Sequence, residues 1–276
     1  MTVKSLLDDL RFGMRSLHTN RVFSAVVIIT VTFGIGANVA VFSIVNALLL
    51  RPYPFPQLDK LVLLRAAGPQ VASPVRMAPA DFIDLQRDAK SFERLSAFRG
   101  KESTLISGGE AISVVTFSVS SGFFEMLGQA PLLGRGFLTD VEPSDDNVAV
   151  LNYGFWKRRY AGDPGVIGDD IVMDGRTVKV AGVMPADFNY PPAADVWQPL
   201  APSPQERSQR DPQLLTGPAF QVIGRLRSGV GLREAESELR AFDSYLQKQF
   251  PGTHRDRSLH LLRLREEQYA FGLPYS

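Results

Sequence analysis

Three histidines, two aspartate pairs and one aromatic–basic run are the places in this sequence where residue types could do chemistry. His18, His254 and His260 are scattered, without the H-x-x-x-H spacing that brings two imidazoles to one zinc ion. There is no cysteine, hence no thiolate ligand, reactive thiol or disulfide framework. Asp145-Asp146 and Asp169-Asp170 could attract a hard cation, though carboxylates in turns ordinarily face water. Trp156-Lys157-Arg158-Arg159 could hold an anion; the competing reading is a solvated helix face anchored by one aromatic ring. His254 and His260 read as solvated or structural.

The phosphate and nucleophile motifs are missing. No G-x-x-x-x-G-K-[ST] loop is present, so ATP is not bound through a P-loop. Gly34 and Gly36 lack the third glycine and the preceding strand of a dinucleotide fingerprint, and no G-x-S-x-G elbow occurs. No catalytic residue, cofactor or metal is expected. With 30 basic against 29 acidic residues the net charge is +1, and no basic stretch is interleaved with aromatics. Nucleic acid is therefore not an expected partner.

What organises the chain instead is Val22–Leu50, an apolar run without a charge, bounded by Arg21 and Arg51. As a helix it would reach about 43 Å, against a hydrocarbon core of ~30 Å. It reads as a membrane helix. A signal-peptide core cleaved near Gly34 or Gly36 is opposed by the long apolar continuation to Leu50. Within the run Gly36, Ala40, Ser43 and Ala47 line one side at spacings of four, three and four. Small residues let a second helix approach closely, and Asn38 and Asn46 would seek polar partners there. This suggests a bundle member, although small residues are also common in membrane helices generally.

Before the run, Leu6, Leu10, Met14 and Leu17 form a stripe flanked by Val3 and Leu7. The spacing predicts an amphipathic helix over 1–20, lying in the headgroup layer or packed on a partner. Lys4, Arg11, Arg15 and Arg21 precede the run; Arg51, Lys60 and Arg65 follow it. The excess favours a cytoplasmic N-terminus.

After the run, Arg51-Pro-Tyr-Pro-Phe-Pro56 ends the helix, with Tyr53 and Phe55 placed as interfacial aromatics. Strands are expected at Leu61–Arg65, Lys101–Ile106, Ala111–Val119, Val148–Leu151, Ile171–Met173, Thr177–Val183, Ala219–Leu226 and Ser258–Leu264. Gly108-Gly109 and Asp174-Gly175 mark hairpins. Helices are expected at Ala80–Arg87 behind Pro79, Phe123–Leu127 ended by Gly128, Tyr153–Tyr160, and Leu232–Leu246 ended near Pro251-Gly252. The proline-rich stretch 185–218 reads as an irregular loop. Strands and helices intermix, so the class is α+β, attached to one N-terminal transmembrane helix. The expected organisation is 1–20 amphipathic, 21–51 transmembrane, 52–270 an extracytoplasmic domain, and 271–276 a terminal stretch.

Several segments in one order carry a resemblance: Val119–Gly128, Pro131–Phe137, Val148–Trp156, Gly162–Gly168, Val180–Phe188 and Asp195–Leu200. Together they resemble the periplasmic core domain of MacB-type ABC transporter permeases. The opening, Leu10–Leu17 and Thr32–Asn38, is similar to the orphan permeases of acidobacteria. These motifs are structural: Phe123, Phe124, Leu127 and Trp156 read as core anchors. The resemblance implies a permease component in the inner membrane whose ATP hydrolysis is done by a separate ABC ATPase subunit. It further implies membrane lipid, further permease helices or a homodimer, and a periplasmic adaptor as partners. Leu6, Leu10, Met14 and Leu17 would be the face that couples to the ATPase. Family members continue into further membrane helices, which Phe271–Ser276 does not contain, so the sequence reads as the N-terminal part of a permease. The alternative functions are a membrane-anchored extracytoplasmic binding module or a non-transporting permease remnant, and a secreted enzyme.

Overall fold

The structure, a computed structural model, describes residues 21–45, 53–67, 73–74, 77–107, 109–137, 147–211, 219–254 and 258–270. The expectations for residues 1–20, Asn46, Ala47 and Asp145-Asp146 lie outside them. The chain divides into two compact units, Met1–Pro52 with Gly272–Ser276, and Tyr53–Phe271.

In the first unit Arg21–Val45 forms one helix, α1. Its β-branched residues cost helix propensity, but no glycine–proline pair or charge interrupts the hydrogen-bond ladder. Thr30 returns its hydroxyl to the carbonyl of Val26 at 2.8 Å, so this polar group is satisfied within the helix. Val22, Ile29, Phe33, Ile35 and Phe42 are bare along it. Among the described residues no helix is long and apolar enough to cross a membrane.

The second unit is α+β. Its strands are β1 Leu61–Ala67, β2 Ser73–Pro74, β3 Phe92–Ser107, β4 Glu110–Val119, β5 Leu133–Gly134, β6 Val148–Leu151, β7 Asp170–Met173, β8 Arg176–Val183, β9 Val196–Pro199, β10 Gln221–Leu226 and β11 Ser258–Arg263. Its helices are α2 Pro79–Asp88, α3 Phe123–Met126, α4 Tyr153–Arg159, α5 Pro204–Ser208, α6 Leu232–Gln249, α7 Pro251–His254 and α8 Leu264–Ala270. The strands join one sheet in the order β11-β1-β10-β3-β4-β9-β6-β8-β5, with β2 beside β1, and β7 bridging β3 and β8. Pairing is antiparallel except for β4 with β9 and β6 with β8.

Alternation decides the faces. Leu61 and Leu63 of β1 enter an aromatic core with Phe98, Phe123, Phe124, Phe188, Tyr190 and Trp197. Val62 and Leu64 point to the opposite core, which α2 and α6 cover through Phe82, Leu85, Ala235 and Leu239. A third core lies to the side, where Phe155 and Trp156 of α4 pack over β6, β7 and β8. The β7–β8 hairpin turns at Asp174 (φ 49°) and Gly175 (φ 78°), the left-handed pair that a tight hairpin of this twist requires.

Three elements differ from the sequence reading. The stretch 185–218 is not all loop: it supplies β9, inserted between β4 and β6, and the short helix α5. Val-Trp-Gln-Pro is too short to display alternation, and its neighbours in the sheet make it a strand. The β3 strand begins at Phe92, nine residues before the expected start. The helix from Leu232 does end just before Pro251-Gly252, but that pair opens a further short helix, and α8 begins at Leu264, where the strand was expected to run on.

The helical layer is fastened by a buried charge cluster. Asp81 of α2 is fully buried; one carboxylate oxygen accepts from Arg210 at 2.9 Å and the other lies 2.7 Å from His254 Nε2. Arg210 also reaches Asp84 at 2.7 Å and lies over the Phe250 ring. Removing one member of a buried pair strands the other in low dielectric. Asp81→Ala is expected to lower unfolding free energy by about 3 kcal/mol in urea titrations of the detergent-solubilised chain. A loss within about 0.5 kcal/mol would mean the cluster does not fasten the layer.

Candidate functional site

With no catalytic constellation to follow, the place to examine is where the chain enters and leaves the second unit. Entry is through Tyr53-Pro-Phe-Pro56. Alternating prolines hold it extended, so Tyr53 and Phe55, two apart, share a side. That side faces inward: the two rings stack at 5.2 Å, Tyr53 meets Tyr190 edge-on at 5.3 Å, and Phe55 lies 5.9 Å from Phe188. Phe55 is buried. The interfacial role expected for these aromatics is therefore corrected, because an aromatic pocket in their own domain takes them up.

The carbonyls of this proline segment need donors, and the domain supplies them. Arg225 of β10, itself buried, gives one Nη to Pro56 O at 3.0 Å. Its Nε and other Nη go to Met126 O, at 2.9 and 2.7 Å. Gln129 Nε2 reaches Pro54 O at 3.2 Å. Gly128 has φ 68°, and a Cβ there would fall 2.7 Å from Pro56 Cγ, so glycine serves both the backbone and the close approach. Burial pulls the Arg225 guanidinium below its ordinary pKa, with Glu93 opposing.

Exit is alongside. Helix α8 packs on the turn Leu58–Lys60 and on β1. Arg263 donates to the carbonyl of Asp59 at 2.9 Å, and Arg265 to its carboxylate at 2.7 Å. Deeper in, Glu267 receives Arg65 of β1 at 2.5 Å, with both side chains nearly covered. Burial raises the Glu267 carboxyl above the usual range, and Arg65 only partly offsets this. Burial, helped by the nearby Glu267 charge, pushes the Tyr53 phenol well above its ordinary value, and Tyr190 behaves alike. Entry and exit thus meet on the aromatic-core face of β1. The chemistry available here is attachment: a displacement of either end is felt by the sheet.

The residues singled out in the sequence go elsewhere. Phe123, Phe124 and Leu127 are buried in the aromatic core. Trp156 is buried in the lateral core, where its indole donates to Asp163 O at 2.8 Å. Lys157 lies 4.7 Å over the Trp156 ring, Arg158 pairs with Asp195 and Arg159 with Glu110, so the basic run is spent on its own domain. Asp170 pairs with Lys179. His254 is buried against Asp81, and His260 on β11 lies 3.1 Å from Ser258 Oγ. Among the described residues no cluster of three metal-ligating groups occurs. Gly36, Ala40 and Ser43 lie on α1; Gly36 opens into a concave patch lined by Ile29, Thr32, Phe33 and Ala37. Leu6, Leu10, Met14, Leu17, His18 and Ala47 fall outside the described residues.

Arg225 and Glu267 went unnoticed in the sequence, and Arg65 figures there only as a charge after the apolar run and the end of a strand. Arg225 left one trace, a lone charge inside the apolar strand Gln-Val-Ile-Gly-Arg-Leu. Arg225→Met would keep the bulk and orphan two carbonyls. It is expected to cost about 2–4 kcal/mol in urea unfolding and to raise amide exchange selectively in residues 57–60. Unchanged exchange there would mean that Arg225 does not hold the entry.

The sequence pattern of the MacB-like periplasmic core domain matches residues 24–242. Solved structures that share the fold include the following three. A domain of a permease protein from Porphyromonas gingivalis aligns with TM-score 0.58 at 17% identity, over 76% of this chain and 93% of that one. The periplasmic region of MacB from Actinobacillus actinomycetemcomitans gives 0.56 at 12%, over 78% and 94%. The extracellular domain of the noncanonic ABC-type transporter YknZ from Gram-positive bacteria gives 0.53 at 12%, over 72% and 99%. No curated protein matches the chain.

Proposed function

The chain belongs to the family of MacB-like periplasmic core domains, and from that premise we propose that it is a permease component of a MacB-like ABC transport or mechanotransmission system. In this reading Val22–Leu50 crosses the inner membrane with the N-terminus in the cytoplasm, and residues 52–270 stand outside it. A separate ABC ATPase hydrolyses ATP and pushes on the cytoplasmic end, with Leu6, Leu10, Met14 and Leu17 as its contact. Further permease helices or a second copy pack on the Gly36, Ala40, Ser43 and Ala47 side. A periplasmic adaptor is the natural recipient of the motion.

The observation that carries the reading is the attachment of the entry segment. Prolines stiffen Tyr53–Pro56, Arg225 and Gln129 hold its carbonyls, and β1 continues it into the sheet between β10 and β11. Within its own unit this segment is firmly held, as transmission of movement through it would require.

Two measurements test this. An N-terminally tagged chain, purified from membranes of its native host, should bring down an ABC-type ATPase identified by mass spectrometry. An intact membrane-held chain without any ATPase would favour the anchored binding module. Replacing Gly36 and Ala40 together by leucine is expected to weaken helix association at least several-fold in a membrane reporter; unchanged association would remove the bundle from the reading.

A further inference from the structure

Strand β3 is paired continuously on its β4 side but not on the other. There β10 covers it from Phe92 to Phe98, and β7 takes it up again at Leu105 and Ile106. The bonds around this interval tell which backbone groups point into it. Ala97 gives its amide to Ser120 Oγ at 3.0 Å and accepts from Ser120 N at 2.8 Å, so its polar groups face the β4 side. Thr104 faces the other way, accepting from Asp174 N at 2.9 Å and donating to Asp174 Oδ1 at 2.8 Å. Alternation between these two residues turns the N–H and C=O of Gly100 and Glu102 into the gap. Neither residue has a backbone partner on that side among the described residues.

The gap has ends and a chemistry. From Phe98 to Thr104 the strand rises about 20 Å at ~3.4 Å per residue, which leaves room for one extended segment of about four residues. On one face Phe117 of β4 stands opposite Gly100, and its ring leans across the glycine: a Cβ there would fall 2.7 Å from the ring's Cε1. The half-covered ring therefore reaches over β3 toward the gap. On the same face Glu102 is exposed, with no ion-pair partner among the described residues. On the other face Arg99 and Lys101 are already held by Glu206 and Asp174.

We infer that this gap is a docking slot for a single extended segment of a partner protein, which adds a short strand to β3 in line with β10 and β7. A helix has spent its own amides and cannot use these groups, and a long sheet edge is stopped by β10 at one end and β7 at the other. What fits is a linear stretch from a loop or a terminus, held by main-chain bonds. Its side chains follow from the slot. The residue opposite Gly100 is apolar and covers Phe117; the residue opposite Glu102, two positions away, is cationic and answers the free carboxylate. The inference rests on the sheet order alone, so its failure would leave the permease reading standing.

Random linear heptapeptides displayed on phage, selected on the full chain in detergent, are the probe. Enriched peptides are expected to carry Lys or Arg two positions from an aliphatic or aromatic residue. Synthetic copies should slow amide exchange at Gly100 and Glu102 at least several-fold and leave Lys101 and Ser103, whose amides bond β4, as they were. Glu102→Pro removes one outward N–H without touching the β4 ladder, a place where a strand tolerates proline, and should abolish binding. Unchanged exchange at Lys101 and Ser103 checks that this variant is folded. Glu102→Lys keeps every backbone group and should weaken the cationic peptides by up to about fivefold. Recovery of no peptide that prefers the wild type to Glu102→Pro would overturn the slot. So would peptides that bind while Gly100 and Glu102 exchange as before, or cationic peptides indifferent to Glu102→Lys.

Discussion

Strand β1 has no free side. β10 and β11 hydrogen-bond its two edges, and its alternating leucines and valines fill the cores on its two faces. The first strand of the domain is therefore completed by the last two, across more than 150 residues of intervening chain. Such pairing forms late and at high entropic cost, but once formed it leaves the entering segment no way to shift without the whole sheet. A one-residue slip of β1 would exchange its two cores, which fixes the register as firmly as the position. Everything attached to β1 inherits that rigidity.

The two ends of the second unit are fastened to this strand by different physics. At the entry the bonds are from side-chain donors to backbone carbonyls, and the segment that offers those carbonyls has few amides of its own because of its prolines. Arg225 is buried with no carboxylate touching it among the described residues, and its donors go to the Pro56 and Met126 carbonyls. This arrangement is specific in direction, since a planar guanidinium fits acceptors only in its own plane. At the exit the fastening is mostly ionic: Arg65 with Glu267 inside and Arg265 with the Asp59 carboxylate outside, while Arg263 donates to the Asp59 carbonyl. Exposed pairs contribute little and are screened by salt, so the buried pair and the Leu264 side chain decide whether α8 stays down.

Much of the fold was legible in the sequence. Alternation in Ala111–Val119 and Thr177–Val183, the Asp174-Gly175 turn, and the 3.6-residue period of Leu232–Leu246 each correspond to an element of the structure. What escaped was structure made by neighbours rather than by local pattern. Val196–Pro199 is a strand because β4 and β6 flank it, and nothing in four residues announces that. The hydrophobic start of β3 at Phe92 is broken by Glu93 and Arg94, which masks its period. Tyr53 and Phe55 look like interfacial aromatics beside an apolar run, and only the pocket formed by Phe188 and Tyr190 reveals where they go. The junction was hidden for the same reason. Arg65, Arg225 and Glu267 are ordinary charges in sequence and come together only through the sheet order.

That hidden grouping gives the junction an asymmetry. The entry is held by groups that stay protonated or have no proton to exchange across the physiological range, namely a guanidinium, an amide and backbone carbonyls. Its strength changes little with pH or salt. The exit is held by a carboxylate whose burial is only partly compensated, so its strength depends on the surrounding water. Both attachments lie on the face of β1 that carries the aromatic core, so Tyr53, Phe55 and Leu264 are packed in one cluster and the two ends of the unit share that core.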